Sequence, residues 1–78
     1  MNKQTITNIK NAIDTAPRNG YVAEFHLQVL KYADELENMS GKEFCEHLDL
    51  KSAWGTEFTK MKKIASRLKK AGLDVSKI

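Results

Sequence analysis

The chain is poor in the residues that build most catalytic, metal and membrane sites. It contains one cysteine, Cys45, one proline, Pro17, and two histidines, His26 and His47. A single thiol forms neither an internal disulfide nor a cysteine cluster for a metal. Cys45 falls within an apolar helical pattern, where a buried, inert thiol is expected. The histidines are 21 residues apart and no HExxH pattern occurs. Cys45 and His47, two apart on a helix, point about 200° away from each other, which suits neither a nucleophile–base pair nor a metal pair. With four glycines in all there is no glycine-rich phosphate loop. Glu43, Glu46 and Asp49 cluster, but carboxylate chemistry needs a cleft that four short helices rarely provide. An enzyme is therefore not expected, and neither is a cofactor. No apolar run approaches the ~18 residues of a membrane span. The N-terminal stretch MNKQTITNIKNAI is polar and lacks the apolar segment of a secretion signal, so the cytoplasm is the expected location.

The 78 residues allow one domain, and a hydrophobic content of 41% supplies its core. The apolar residues recur at helical spacing in four places. Ile6, Ile9 and Ile13 form a narrow stripe on a helix from about 5 to 14, which is stable only when docked. Pro17, Asn19 and Gly20 break it. Phe25, Val29, Tyr32, Ala33 and Leu36 then share a face over 21–38, widened by Leu27 and Leu30, as in a central helix with several neighbours. Ser40 followed by Glu43 is a capping box, with Met39 at the staple position before it. It opens a short helix with Phe44, Cys45 and Leu48 inward. Ser52 and Thr56 are candidate caps for the last helix, and Gly55 favours a start at Thr56 because glycine weakens a helix interior. Phe58, Met61, Ile64, Ala65 and Leu68 make its apolar stripe, and Gly72 is placed to cap its end. Leu73, Val75 and Ile78 suggest a short extended tail. The expected fold is all-α, with four helices.

Charge is distributed unevenly. The net charge of +3 divides into −3 over residues 1–50 and +6 over residues 51–78. From Lys60 to Lys70 there are six cations and no acid. At about 100° per residue, Thr59, Lys63, Ser66, Arg67 and Lys70 oppose the apolar arc. Lys60 flanks them, and Lys62 and Lys69 lie nearer the apolar edge. Like charges three and four apart repel, so a helix that carries this many suggests an anionic partner. Nucleic acid fits best, because lysine and arginine neutralise phosphates while serine and threonine hold phosphate oxygens. An acidic protein surface and a merely solvated face are the other readings. A membrane surface is not expected, because the apolar stripe is needed for the core.

A short helix, a turn and a basic amphipathic helix are the parts of a helix-turn-helix, here 40–48, 49–55 and 56–71. The stretch KEFCEHLDLKSAWGTEFTKMKKIASRLKKAGLDV resembles small bacterial HTH-like DNA-binding domains, over roughly 21–78. The resemblance implies a transcriptional regulator on double-stranded DNA. It implies base contacts from Ser52, Trp54, Thr56, Glu57, Thr59, Lys60 and Lys63, and phosphate contacts from Lys51, Lys62, Arg67, Lys69 and Lys70. It also implies that Cys45 is the small residue at which the two helices approach. Asp49 occupies the usual turn-glycine position and Gly55 interrupts the recognition helix, so the turn is expected to be longer or bent. Trp54 has two readings, a surface aromatic against DNA or a lid over the core. A homodimer would use Ile6, Ile9 and Ile13 or the Leu73–Ile78 tail. The alternative function is a small interaction or inhibitor protein, of the mobile-element type, whose basic helix blocks an acidic or nucleic-acid-binding surface of a protein partner. A purely structural domain is a third reading.

Overall fold

A computed structural model describes residues 3–78; Met1 and Asn2, at the start of the polar N-terminal stretch, lie outside it. Four α-helices follow one another: α1 (Lys3–Thr15), α2 (Tyr21–Lys31), α3 (Gly41–Leu48) and α4 (Trp54–Lys70). A 3-10 turn at Arg18–Gly20 leads into α2, and another at Val75–Lys77 ends the chain. The fold is all-α, as the periodicity predicts. None of these helices is long and apolar enough to cross a membrane.

The helices close around Ile9, Ile13, Phe25, Val29, Leu36, Met39, Phe44, Leu48 and Phe58. Aromatic rings form the centre. Phe44 stacks on Phe58 with centroids 4.3 Å apart, and Phe25 meets Phe44 edge-on at 5.8 Å. Such pairs add roughly 0.5–1.5 kcal/mol to the value of the area they bury. Because Ile9 and Ile13 are buried here and Ile6 is half-buried against them, α1 spends its stripe on its own core rather than on a dimer.

Helix α2 is shorter than its pattern predicts. It ends at Lys31, and residues 32–38 continue as turns. The reason is electrostatic. Asp34, Glu35 and Glu37 would lie at the C-terminal end of the longer helix, where negative charge opposes the macrodipole. Stopping at Lys31 leaves a cation in the last turn instead. The acids then find tertiary partners: Thr5 donates to Glu35, and Asp34 pairs with Lys69. Leu36 and Met39 remain buried, so the core is filled by turns where a helix was expected.

Helix α3 begins with the anticipated capping box. The Glu43 N–H donates to Ser40 Oγ at 3.1 Å, and the Ser40 N–H to Glu43 Oε1 at 3.4 Å. Its end and the end of α4 use the same device. Leu50 N–H reaches the Cys45 carbonyl at 2.9 Å, and Leu73 N–H reaches the Leu68 carbonyl at 3.0 Å. Each bond closes over one left-handed residue, Asp49 (φ 56°) or Gly72 (φ 108°). Asp49 thus adopts the conformation that a turn glycine would, which a short polar side chain tolerates. The turn between α3 and α4 covers residues 49–53, about one or two more than the usual three or four.

Helix α4 starts at Trp54, two residues before the expected Thr56, so Gly55 lies inside it. Neither Ser52 nor Thr56 caps it. The start is held by Trp54 N–H to the Lys51 carbonyl and Gly55 N–H to the Ser52 carbonyl, both at 3.0 Å. Gly55 packs against Gly41, and it is Gly41 whose place requires a glycine. A Cβ at Gly41 would come 2.7 Å from the Gly55 oxygen, so α3 and α4 touch backbone to backbone. That contact, rather than Cys45, is the point of closest approach. Cys45 is buried beside it, and burial raises its thiol pKa.

The tail is a 3-10 turn, not an extended piece. Asp74 caps it, accepting from the Ser76 N–H at 3.0 Å and the Ser76 hydroxyl at 2.6 Å. These bonds hold the Asp74 carboxyl below its ordinary pKa.

Candidate nucleic-acid interface

Helix α4 is laid against α2 and α3. Tyr21 meets Trp54 and His26 meets Glu57 across the contact with α2, and Asp34 in the turns that follow α2 meets Lys69. Phe58 and Ala65 fix its inward direction, being 0% and 1% exposed. The side opposite them carries Thr56, Thr59, Lys60, Lys63, Ser66, Arg67 and Lys70, all exposed. Over Thr56 to Lys70 this face is about 21 Å long at 1.5 Å per residue.

The cations of α4 fall into two groups. Lys63, Arg67 and Lys70 make no hydrogen bond or ion pair among the described residues. Lys60 approaches Glu57 Oε1 at 3.8 Å from an exposed position. Lys62 and Lys69, expected as phosphate contacts, instead hold the fold. Lys62 Nζ donates to the carbonyls of Glu37 (3.1 Å) and Met39 (2.8 Å), and lies 4.9 Å above the Phe58 ring. Lys69 pairs with Asp34. Both sit at the flank of α4 that meets the 32–39 turns, so their charge is answered from within the chain.

Trp54 is likewise turned inward. It packs at 4.7 Å from the Phe25 ring and 5.6 Å from Tyr21, which makes it part of the core lid rather than a DNA contact. Glu57 is engaged with His26, whose Nε2 lies 3.2 Å from Glu57 Oε2. Lys51 and Ser52 are exposed in the turn that precedes α4. They stand near one mouth of a groove of about 880 Å³ between α3 and α4, whose lining includes Lys42, Glu46, Asp49, Ser52, Thr56 and Thr59. Glu46 and Asp49 outweigh Lys42 in its lining, so the groove carries no excess of positive charge. The positive potential is therefore carried by the outward face of α4, not by the groove.

A short helix, a left-handed turn residue and a longer helix with an exposed cationic face are now assembled from one contiguous stretch. The sequence matches the HTH-like domain family over residues 1–71. The chain belongs to that family. No curated protein and no solved structure matches it. Within the HTH-like domain, the Gly41–Gly55 contact sets how closely α3 and α4 pack.

Two features of the site escape the sequence pattern. The Gly41–Gly55 pair had a signal: of the four glycines, Gly20 and Gly72 sit at breaks, while the other two fall in or beside helical pattern. The second is the exposure of Ile64 and Leu68, which periodicity assigns to the core but which are 46% and 37% exposed. Leu27 of α2 is also exposed, although its pattern suggested burial.

Proposed function

We propose that this HTH-like domain binds double-stranded DNA through the outward face of α4. In this reading α4 is the recognition helix and enters the major groove, which is ~12 Å wide and admits an α-helix. Thr56, Thr59, Lys60 and Lys63, in its first half, contact base edges and the nearest phosphates. Arg67 and Lys70 follow the backbone, and Lys51 and Ser52 anchor the preceding turn. The observation that carries the reading is the sorting of charge on one helix. The cations that face the body, Lys62 and Lys69, have partners there; of those that face away, Lys63, Arg67 and Lys70 have none among the described residues, and Lys60 meets only Glu57 on its own helix. Repulsion along the free set is relieved by a polyanion.

The protein then acts as a transcriptional regulator in the cytoplasm by occupying a promoter, with no catalytic step and no cofactor. Selection of bound sequences from random duplex DNA tests this. An enriched motif supports a regulator. Two half-sites about 34 Å apart within it would indicate a homodimer. Binding with no enriched motif would contradict sequence-specific regulation.

A further inference from the structure

Beside the cationic face, α4 has an apolar flank that the body leaves open. Ile64 and Leu68 belong to the helix's apolar stripe by spacing, yet neither joins the core. With Ala71 they floor an open trough of about 380 Å³, rimmed by Lys63 and Arg67. Ile64 and Leu68 are four residues apart, and so are Lys63 and Arg67. The trough therefore presents two successive helical turns, each with an apolar residue and a cation side by side. Ile64 and Leu68 thus form one patch on α4 rather than scattered apolar residues.

We infer that this trough docks an acidic amphipathic helix of a protein partner. Its apolar residues would cover Ile64, Leu68 and Ala71, and carboxylates beside them would meet Lys63 and Arg67. Helix-in-groove recognition uses this spacing of anchors. Charge selects the partner. A two-fold contact with a second copy sets the same patch against itself. That would bring Lys63 and Arg67 of both copies together, with no acid among the trough residues to separate them. An acidic helix meets the same cations favourably. Because Lys63 and Arg67 also belong to the proposed DNA face, the partner and a duplex exclude one another, and this last point rests on the DNA reading.

The test is a titration of the full chain, followed by amide NMR, with a stapled helical peptide that carries leucines on one face and glutamates beside them. A peptide with lysines in place of the glutamates is the control. Saturable shifts centred on Lys63, Ile64, Arg67, Leu68 and Ala71 are expected. Two charge pairs should make the control weaker by about tenfold or more. The double substitution Ile64→Ser and Leu68→Ser should abolish peptide binding while circular dichroism and duplex binding persist, since both residues are already exposed and outside the DNA face. Equal binding of the two peptides, or shifts centred elsewhere, would overturn the inference. So would concentration-dependent shifts of these residues without peptide, which would assign the trough to a second copy. Added duplex should displace the peptide. Simultaneous binding would refute the mutual exclusion, and duplex binding measured alone judges the DNA reading separately.

Discussion

Lys62 and Lys63 are adjacent in the sequence and opposite in the structure, and the same is true of Lys69 and Lys70. The first of each pair reaches back to the 32–39 turns, through the Glu37 and Met39 carbonyls or the Asp34 carboxylate. The second points away from the body with no partner among the described residues. The two pairs are seven residues apart, or two helical turns, so the same division of labour recurs on the same two sides. A cluster of cations on a helix is thus not one feature. Helical phase decides which charges are structural cement and which remain for an outside ligand.

The most drastic way to break this comparison is to rotate or displace α4. Gly41→Val should do so, since its Cβ would meet the Gly55 carbonyl oxygen, a backbone atom that cannot swing aside. A loss of about 2–3 kcal/mol or more is expected in denaturant unfolding, from overpacking at a backbone contact. Gly55→Ala sharpens the point. A Cβ there has its nearest neighbour at 3.4 Å, so the helix-propensity gain of roughly 1 kcal/mol should largely offset any crowding.

Next comes the charge comparison itself. Lys62→Met should cost roughly 1–2 kcal/mol of stability, because two carbonyls lose a charged donor. Duplex affinity should hardly change at temperatures where the variant is folded. Lys63→Met should do the reverse, leaving the thermal midpoint within a degree or so while weakening duplex binding several-fold. Lys69→Met should cost less than Lys62→Met, about 0.2–1 kcal/mol, because its partner Asp34 is exposed and screened by solvent. The smallest effect belongs to the tail. The folded Asp74 carboxyl is held below its ordinary pKa by Ser76. Its contribution is therefore present above the ordinary carboxylate range and is lost as pH falls through the depressed value. A fall in the protection of the Ser76 amide, relative to its intrinsic exchange rate, as the solution is made acid, and no such fall in Asp74→Asn, would check this.

Much of the architecture was legible in the residues. The capping box at Ser40 and Glu43, the break at Pro17–Gly20 and the cap at Gly72 are local chemistry, and local chemistry decided them. What was not legible depends on partners distant in the chain. The early end of α2 lets the acids at 34 and 35 be answered by Lys69 and Thr5. The close approach of α3 and α4 at Gly55 needs Gly41. Periodicity counted Ile64 and Leu68 as core because a stripe does not reveal how wide a face its neighbours cover. The family resemblance nominated Lys62 and Lys69 for DNA, and a helical wheel does not show what lies beyond the apolar edge. For Thr56, Thr59, Lys60, Lys63, Arg67 and Lys70 the wheel and the structure agree on outward exposure.

The proposed grip of a polyanion by the outward cations, while the inward ones hold the chain, can be measured. Its most direct measurement is the salt dependence of duplex binding by the native protein and by Lys63→Gln/Arg67→Gln and Lys62→Gln variants. If Lys51, Lys60, Lys63, Arg67 and Lys70 all meet phosphates, the logarithmic slope should be about −4 to −5. It should flatten by about 2 in the Lys63/Arg67 variant and stay unchanged in the Lys62 variant. A native slope near zero, or equal slopes for the native protein and the Lys63/Arg67 variant, would contradict it.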